Sequence, residues 1–360
     1  MKNEKIYGNN EQFISSTPML NPSQMYFLQG FIDELYQRTP LYSFKALFSE
    51  VVKISNNNEQ MDISLLEKMQ QAFRSILSHV NSNLYHTDRF SSDQKIIVGD
   101  WMHQEFVSFC LLGTWPSRSL QKPQRIAGDH YTIKQIYSDG GQEKSSLGRA
   151  VNYCFFQEPA CKAVKNRKRY IENKIMEKVL KNGNETTYVS SIACGPAEEI
   201  FNTYSLLGKE NRQRLKVVGL DKDKRACASV DDRIQENYLT HYFSTSTADI
   251  LKLTPPPSAM RQQDFVYSMG LIDYFKDRAT VKIINILYEM LKPGGEIVIG
   301  NFHTSCDSRI FLDHLLKWKL IYRTEEDMRR LFSQSAFADS KVTVDFEPEG
   351  VNMLVRCIKQ

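Results

Sequence analysis

The sequence predicts an α/β fold, a mostly parallel sheet with an antiparallel last strand, preceded by an α-helical domain. Three observations carry this. Tyr188–Ile200 reads as a short β-branched strand that breaks into small residues and then into a helix start. Lys216-Val-Val-Gly-Leu-Asp221 is a second apolar strand, and its terminal acid falls 26 positions after Gly195. Leu291-Lys-Pro-Gly-Gly ends a helix and turns into a further strand that runs to Phe302.

Taken in chain order, residues 1–20 form a poorly ordered N-terminus and residues 21–120 a helical domain. Phe27, Leu28, Phe31, Ile32 and Leu35 match one helix face; Leu65, Met69, Phe73, Ile76, Leu77 and Val80 stripe a second helix over Met61–Leu84; Ile96–Leu112 is a third. The plain role of such a domain is packing or a homodimer contact. Pro-Ser and Lys-Pro breaks at 116–123 predict a linker, so residues 121–182 read as linker and substrate-capping segment. Within it, Gly128–Tyr137 is a strand or a lid, and Leu147–Ala160 is amphipathic and aromatic. Lys162–Lys181 holds eight Lys or Arg against two Glu, although the whole chain carries only +4. That run is either a solvated helix face or an anion-binding lid with Arg167 and Arg169 available to a carboxylate or phosphate.

Residues 183–360 make up the sheet domain. After the two strands already named, Phe243–Ile250 is a third with Asp249 near its end, and Asp264–Phe275 a fourth that opens into a polar, aromatic loop. Thr324 with Asp327 forms a capping box for a helix over Glu325–Phe332. Lys341–Asp345 and Val351–Ile358 alternate as the strands of an antiparallel hairpin.

Composition excludes several classes. A 41% hydrophobic content supports a full core. The absence of an apolar run of about 18 residues argues against a membrane span, and the polar N-terminus lacks the apolar segment of a signal peptide. Seven cysteines stand as singles without zinc-site spacing, and their odd number argues against a disulfide framework. No metal and a reducing cytoplasm are expected. A sequence pI near 8.5 falls short of a nucleic-acid footprint, and the Ser-Met-Gly-Leu-Ile-Asp stretch after the fourth strand differs from an Asn/Asp-Pro-Pro-aromatic loop.

The segments over 188–302, in this order, resemble the core of class I S-adenosylmethionine-dependent methyltransferases, a Rossmann-like fold. The resemblance implies S-adenosylmethionine as cofactor and a role in holding it for Ala193, Cys194, Gly195, Pro196, Asp221, Lys222, Asp249, Ile250, Ser268, Met269 and Gly270. Asp221 would accept hydrogen bonds from ribose hydroxyls, a reading the order of the five segments favours over the simpler one of an N-cap for a helix from Lys222. The family's glycine-rich loop opens with an acid and carries three glycines. Here Ser191 holds the acidic place, and Ala193 and Ala197 hold two glycine places.

A narrower likeness spans roughly 128–360. Gly128-Asp, Gly148-Arg, Pro159–Tyr170, Ala193-Cys-Gly-Pro-Ala and Gly270-Leu-Ile-Asp-Tyr-Phe275 are similar to bacterial proteins of 3-hydroxypalmitic acid methyl ester biosynthesis, which methylate a fatty-acid carboxylate. That resemblance implies a small-molecule acceptor, O-methylation of an acyl acid, and an acceptor site drawn from Tyr131, Arg167, Arg169, Tyr274, Asn301 and His303. A carboxylate acceptor is ionised at neutral pH and needs no base. A hydroxyl or amine does, with His303 first and Asp273 and Tyr274 behind it. The altered glycine loop leaves a non-catalytic S-adenosylmethionine-binding module as a further alternative.

Overall fold

The computed structural model describes residues 20–57, 60–140 and 143–360; the expected disorder of the N-terminus falls almost wholly outside them. Four long helices open the chain: α1 (Pro22–Arg38), α2 (Leu41–Asn56), α3 (Ile63–Tyr85) and α4 (Ser92–Leu112). Local chemistry sets their starts. Asn21 with Gln24 and Ser91 with Gln94 close reciprocal capping boxes, and Pro22 begins α1 where its missing N–H costs nothing.

The expected linker at 116–123 is instead mostly helix. α5 (Thr114–Gln121) buries Trp115, Pro116, Ser119 and Leu120, because a proline in the first helical turn fixes φ without removing a needed donor. Likewise Gly128–Tyr137 forms no strand; it holds the short helix α6 (His130–Tyr137), N-capped by Asp129, whose side chain accepts from Thr132 N–H. α7 (Ser146–Phe156) and α8 (Pro159–Lys181) follow.

The sheet then alternates with helices: β1 (Thr187–Ile192), α9 (Glu198–Leu206), α10 (Lys209–Gln213), β2 (Leu215–Asp221), α11 (Lys224–Glu236), β3 (Phe243–Thr247), β4 (Gln263–Met269), α12 (Asp277–Met290), β5 (Leu291–Phe302), α13 (Glu325–Ser333), β6 (Thr343–Phe346) and β7 (Asn352–Ile358). The strand order is β3-β2-β1-β4-β5-β7-β6. β1 to β5 pair in parallel, and β7 pairs antiparallel with both β5 and β6. The Pro-Gly-Gly turn is a bulge within β5 rather than a break before it: Leu291 pairs with Gln263 and Glu296 with Phe265.

Two apolar layers cover the sheet. Ile171, Ile175, Ile200, Phe201 and Val230 pack on one face against Val189, Val217 and Phe265. Ile283, Leu287, Met328 and Leu331 pack on the other against Val266, Ile297 and Val355. The helical region is not walled off behind a linker. Its core takes in Phe302 at the end of β5 and Cys306, Ile310, Phe311, Leu315 and Trp318 from the segment after it, and Phe311 lies 5.3 Å from Phe155 between ring centroids. Arg74 of α3 contacts both Glu158 and Asp307. The sheet domain therefore lends the helical cap part of its core. No helix among the described residues is long and apolar enough to cross a membrane.

Candidate active site

The carboxyl ends of β1, β2 and β4 open into a cleft of about 400 Å³ roofed by α6 and α8. Its size falls within the roughly 300–1,000 Å³ of small-molecule sites, and its place is where parallel α/β sheets bind ligands. After β1 three alternate residues adopt the left-handed backbone. Ala193, Gly195 and Ala197 have φ of 56°, 52° and 52°, so the two alanines keep the left-handed backbone that glycine usually supplies. A Cβ added to Gly195 would meet nothing within 4 Å, and Gly195 lines the cleft. The strand tips are open enough for a ligand to lie on the loop.

Asp221 stands at the tip of β2 and lines this cleft. It does not cap the following helix. That helix begins at Lys224 and its cap is Asp223, which accepts from Arg225 N–H at 3.0 Å. Asp221 instead accepts from Gly195 N–H at 3.0 Å through Oδ2 and from Asp223 N–H at 2.9 Å through Oδ1. Each oxygen keeps a second lone pair, so the carboxylate braces the β1 loop and still faces the cleft. β3 stops at Thr247; Asp249 caps a short 3-10 turn over Ile250–Lys252 by accepting from Leu251 N–H at 3.0 Å. Ala248, Asp249, Ile250 and Leu251 form the wall beyond Asp221. Across the mouth, His130 of α6 approaches Asp223 at 3.6 Å.

The other end of the cleft differs in chemistry. Ile126, Ile133, Phe302, Leu312, Trp318 and Leu320 make an apolar wall, beside which stands Arg167 of α8. Arg167 is 5% exposed, and its Nε and Nη1 have no hydrogen-bond partner. It has no carboxylate within ion-pair distance among the described residues. Five of the other basic residues in the run pair with carboxylates: Lys168 with Glu172, Lys174 and Lys178 with Glu296, Lys165 with Asp139 and Lys181 with Glu177. A buried cation left without a counter-ion is costly unless a ligand supplies one.

Sequence reasoning placed Ala193, Cys194, Gly195, Pro196, Asp221, Lys222, Asp249, Ile250, Met269, Gly270, Asp273, Tyr274 and Arg167 around a site, and all of these line the one cleft. Asp273 is buried, accepts from Phe302 N–H at 2.9 Å and from Ile321 N–H through its backbone oxygen at 2.7 Å. Burial pushes its carboxyl up to about 6 against the opposing pull of the Phe302 N–H, Arg167 and Arg323. Tyr274 is 40% exposed overall, yet its hydroxyl is enclosed: Trp318 Nε1 donates to it at 2.8 Å.

Five expected residues stand outside the lining. Arg169, two positions from Arg167, points to solvent on the opposite helix face. Tyr131 packs under the Arg118 guanidinium, 4.5 Å from its ring centroid. Ser268 is buried and donates to Ile192 O at 2.9 Å, tying β4 to β1. Asn301 is buried too; it donates to Phe302 O and Ile321 O and accepts from Arg323 Nη1 at 2.8 Å. His303 lies beyond the tip of β5, its Nδ1 2.6 Å from Ser305 Oγ and its ring edge-on to Phe346; partial burial lowers its pKa. It is not among the residues that line the cleft. Arg323, the other buried arginine here, is saturated by Ile272 O, Asn301 Oδ1, Phe275 O and Asp277.

Sequence reasoning missed Glu199, Tyr137, Tyr267 and the apolar wall. For Glu199 a signal existed. It shares a helix stripe with Thr203, four residues on, and both face the core. Tyr137 and Trp318 carried none, since their placement depends on how the cap docks.

No family model and no curated protein matches this chain. Solved structures do resemble it. A possible exported protein from Bordetella parapertussis is 16% identical, with 83% of this chain and 99% of that one covered and a TM-score of 0.51. The S-adenosylmethionine-dependent methyltransferase SibL in its apo form is 14% identical over 92% of this chain and 99% of that one, TM-score 0.44. Magnesium protoporphyrin IX methyltransferase from Synechocystis PCC 6803 is 11% identical over 56% and 87%, TM-score 0.42. Identities this low speak to the fold alone. The sheet order and its antiparallel last strand are those of the Rossmann-like class I methyltransferase fold.

Proposed function

We propose that this protein is an S-adenosylmethionine-dependent methyltransferase that esterifies the carboxylate of a small, largely apolar acid. The observation that carries the acceptor is Arg167, a buried guanidinium with unpartnered nitrogens beside an apolar wall. Its planar fork suits a carboxylate, and Leu312, Trp318 and Leu320 suit an acyl chain. The residues at the opposite end fit the donor: an open backbone at Gly195, a carboxylate at Asp221 for ribose hydroxyls and an apolar slot at Ile250 and Leu251 for a purine.

When bound, the donor supplies a methyl group activated by its sulfonium charge. The chain's own work is alignment and exclusion of water, an effect that can lower a barrier by several kcal/mol. Arg167 would hold the acid with one oxygen toward the donor, and α6 with Trp318 would cover it. An ionised carboxylate needs no proton removed. His303 stands outside the lining, so a hydroxyl or amine acceptor would have to rely on Asp273 or Tyr274, which do line the cleft.

The test is incubation of the protein with methyl-labelled S-adenosylmethionine and a cell extract, followed by mass spectrometry for a labelled ester. A labelled ether or N-methyl product would refute the carboxylate assignment. Tight donor binding without any labelled product would favour the non-catalytic module.

A further inference from the structure

Position 191, at the end of β1, carries a serine where the resemblance expects an acid. Ser191 is the direct register partner of Tyr267 on β4. The Tyr267 phenol, wholly buried, occupies the volume beside it and donates to Glu199 Oε1 at 2.7 Å. Glu199 belongs to the first turn of α9, is 7% exposed, and lines the cleft next to Ser191 and Gly195. No Lys, Arg or His lies within ion-pair distance of it among the described residues. Its neighbour Glu198 contrasts: it binds Arg233 through both oxygens, at 2.7 and 3.0 Å, on the outer side. Burial holds the Glu199 carboxyl up at about 6 despite the Tyr267 hydroxyl. A second charged group sits nearby. Tyr137, Arg167 and Glu199 line the same cleft; burial chiefly raises the Tyr137 phenol's pKa, Glu199 adds to the rise, and Arg167 opposes it by charge and a hydrogen bond.

Resting on the methyltransferase reading, we propose that Glu199, braced by Tyr267, receives the positively charged amino group of the donor's methionine end. The strand-end carboxylate missing at Ser191 is thus supplied from the following helix, with tyrosine as spacer. A buried carboxylate that lacks a cation is stabilised when a ligand brings one. The amino group goes to this carboxylate because Arg167 repels it, which also leaves Arg167 for the acceptor.

Calorimetric titration separates the parts. S-adenosylhomocysteine and methylthioadenosine share the adenosine and the sulfur, but the second lacks the amino-acid end. Glu199→Gln should bind S-adenosylhomocysteine roughly 10- to 100-fold more weakly than the parent, with methylthioadenosine changed by less than about threefold. Tyr267→Phe, which keeps the carboxylate, should lose less on the first ligand and nothing on the second. Near pH 6, S-adenosylhomocysteine binding should release protons from the parent and not from Glu199→Gln, because a bound ammonium lowers the carboxyl's pKa. Unchanged S-adenosylhomocysteine affinity in Glu199→Gln, or equal losses on both ligands, would overturn the assignment. Failure of the parent to bind either nucleoside would instead remove the donor reading itself, and this proposal with it.

Discussion

The guanidinium of Arg167 lies so close over Gly270 that a Cβ there would stand 3.0 Å from Nη1 and 3.1 Å from Nη2. Gly270 also has φ of 89°, a region that side chains rarely adopt. Both facts bear on one substitution. Gly270→Ala should cost about 1–2 kcal/mol of stability through backbone strain, read by chemical denaturation. It should also raise the acceptor's KM by displacing Arg167, with S-adenosylhomocysteine affinity nearly unchanged. A loss of stability without a KM effect would mean that Arg167 adjusts freely and is not positioned by this glycine.

Arg167 itself admits a sharper comparison. Arg167→Gln should raise the acceptor KM by roughly 10-fold or more, since a charge-assisted bidentate pair is lost. Arg169→Gln, on the exposed face, should leave the kinetics alone. If Arg167→Gln weakened S-adenosylhomocysteine instead, the guanidinium would hold the donor's own carboxylate. Steady-state kinetics and ligand titration on the same two variants decide between these.

Asp221 has two tasks, bracing the β1 loop through Gly195 N–H and facing the cleft. Asp221→Ala should weaken S-adenosylhomocysteine by about 1–3 kcal/mol, measured by calorimetry. Asp221→Asn keeps an acceptor oxygen for Gly195 but lacks the charge; it should recover the loop, and with it thermal stability, while recovering only part of the affinity. Full recovery by asparagine would mean that the loop contact, not the ribose, explains the effect.

Much of this site was legible because it depends on local order. The run Ser190-Ser-Ile-Ala-Cys-Gly-Pro-Ala197 and the acid at 221 are features of strand tips, and their spacing brings them together in any doubly wound sheet. What escaped depends on docking. α6 was read as strand or lid because eight residues rich in aromatics and β-branched side chains lack a period that distinguishes the two; Asp129, its cap, was the overlooked signal. Arg167 and Arg169 looked alike in sequence, and only the packing of α8 on the sheet buries one and exposes the other. His303 follows a strand end, as an acceptor-side residue would, yet it stands outside the cleft lining, with Ser305 and Phe346 against its ring.

Glu158 lies away from the cleft, where the cap joins the segment after β5. It is fully buried at the start of α8, 3.3 Å from Arg74 Nη1, and Arg74 also contacts Asp307. Burial pushes its pKa up to about 7; Arg74 opposes the rise and Asp307 adds to it. A carboxyl whose folded pKa exceeds its ordinary value binds its proton more tightly when folded. Its stabilising share is complete below about pH 4.5 and is lost as pH climbs through about 7. The parent should therefore lose unfolding free energy across that window, in part through this group. Glu158→Gln cannot titrate, so the stability difference between parent and variant should shift against the parent as pH rises, by on the order of 1 kcal/mol or more. Glu199 and Asp273 move in the same direction but are present in both proteins, so they cancel in the comparison. Urea denaturation at pH 5 and pH 8 measures it. Parallel curves would show that Arg74 keeps Glu158 ionised throughout, making the junction a fixed ion pair rather than a proton-dependent one.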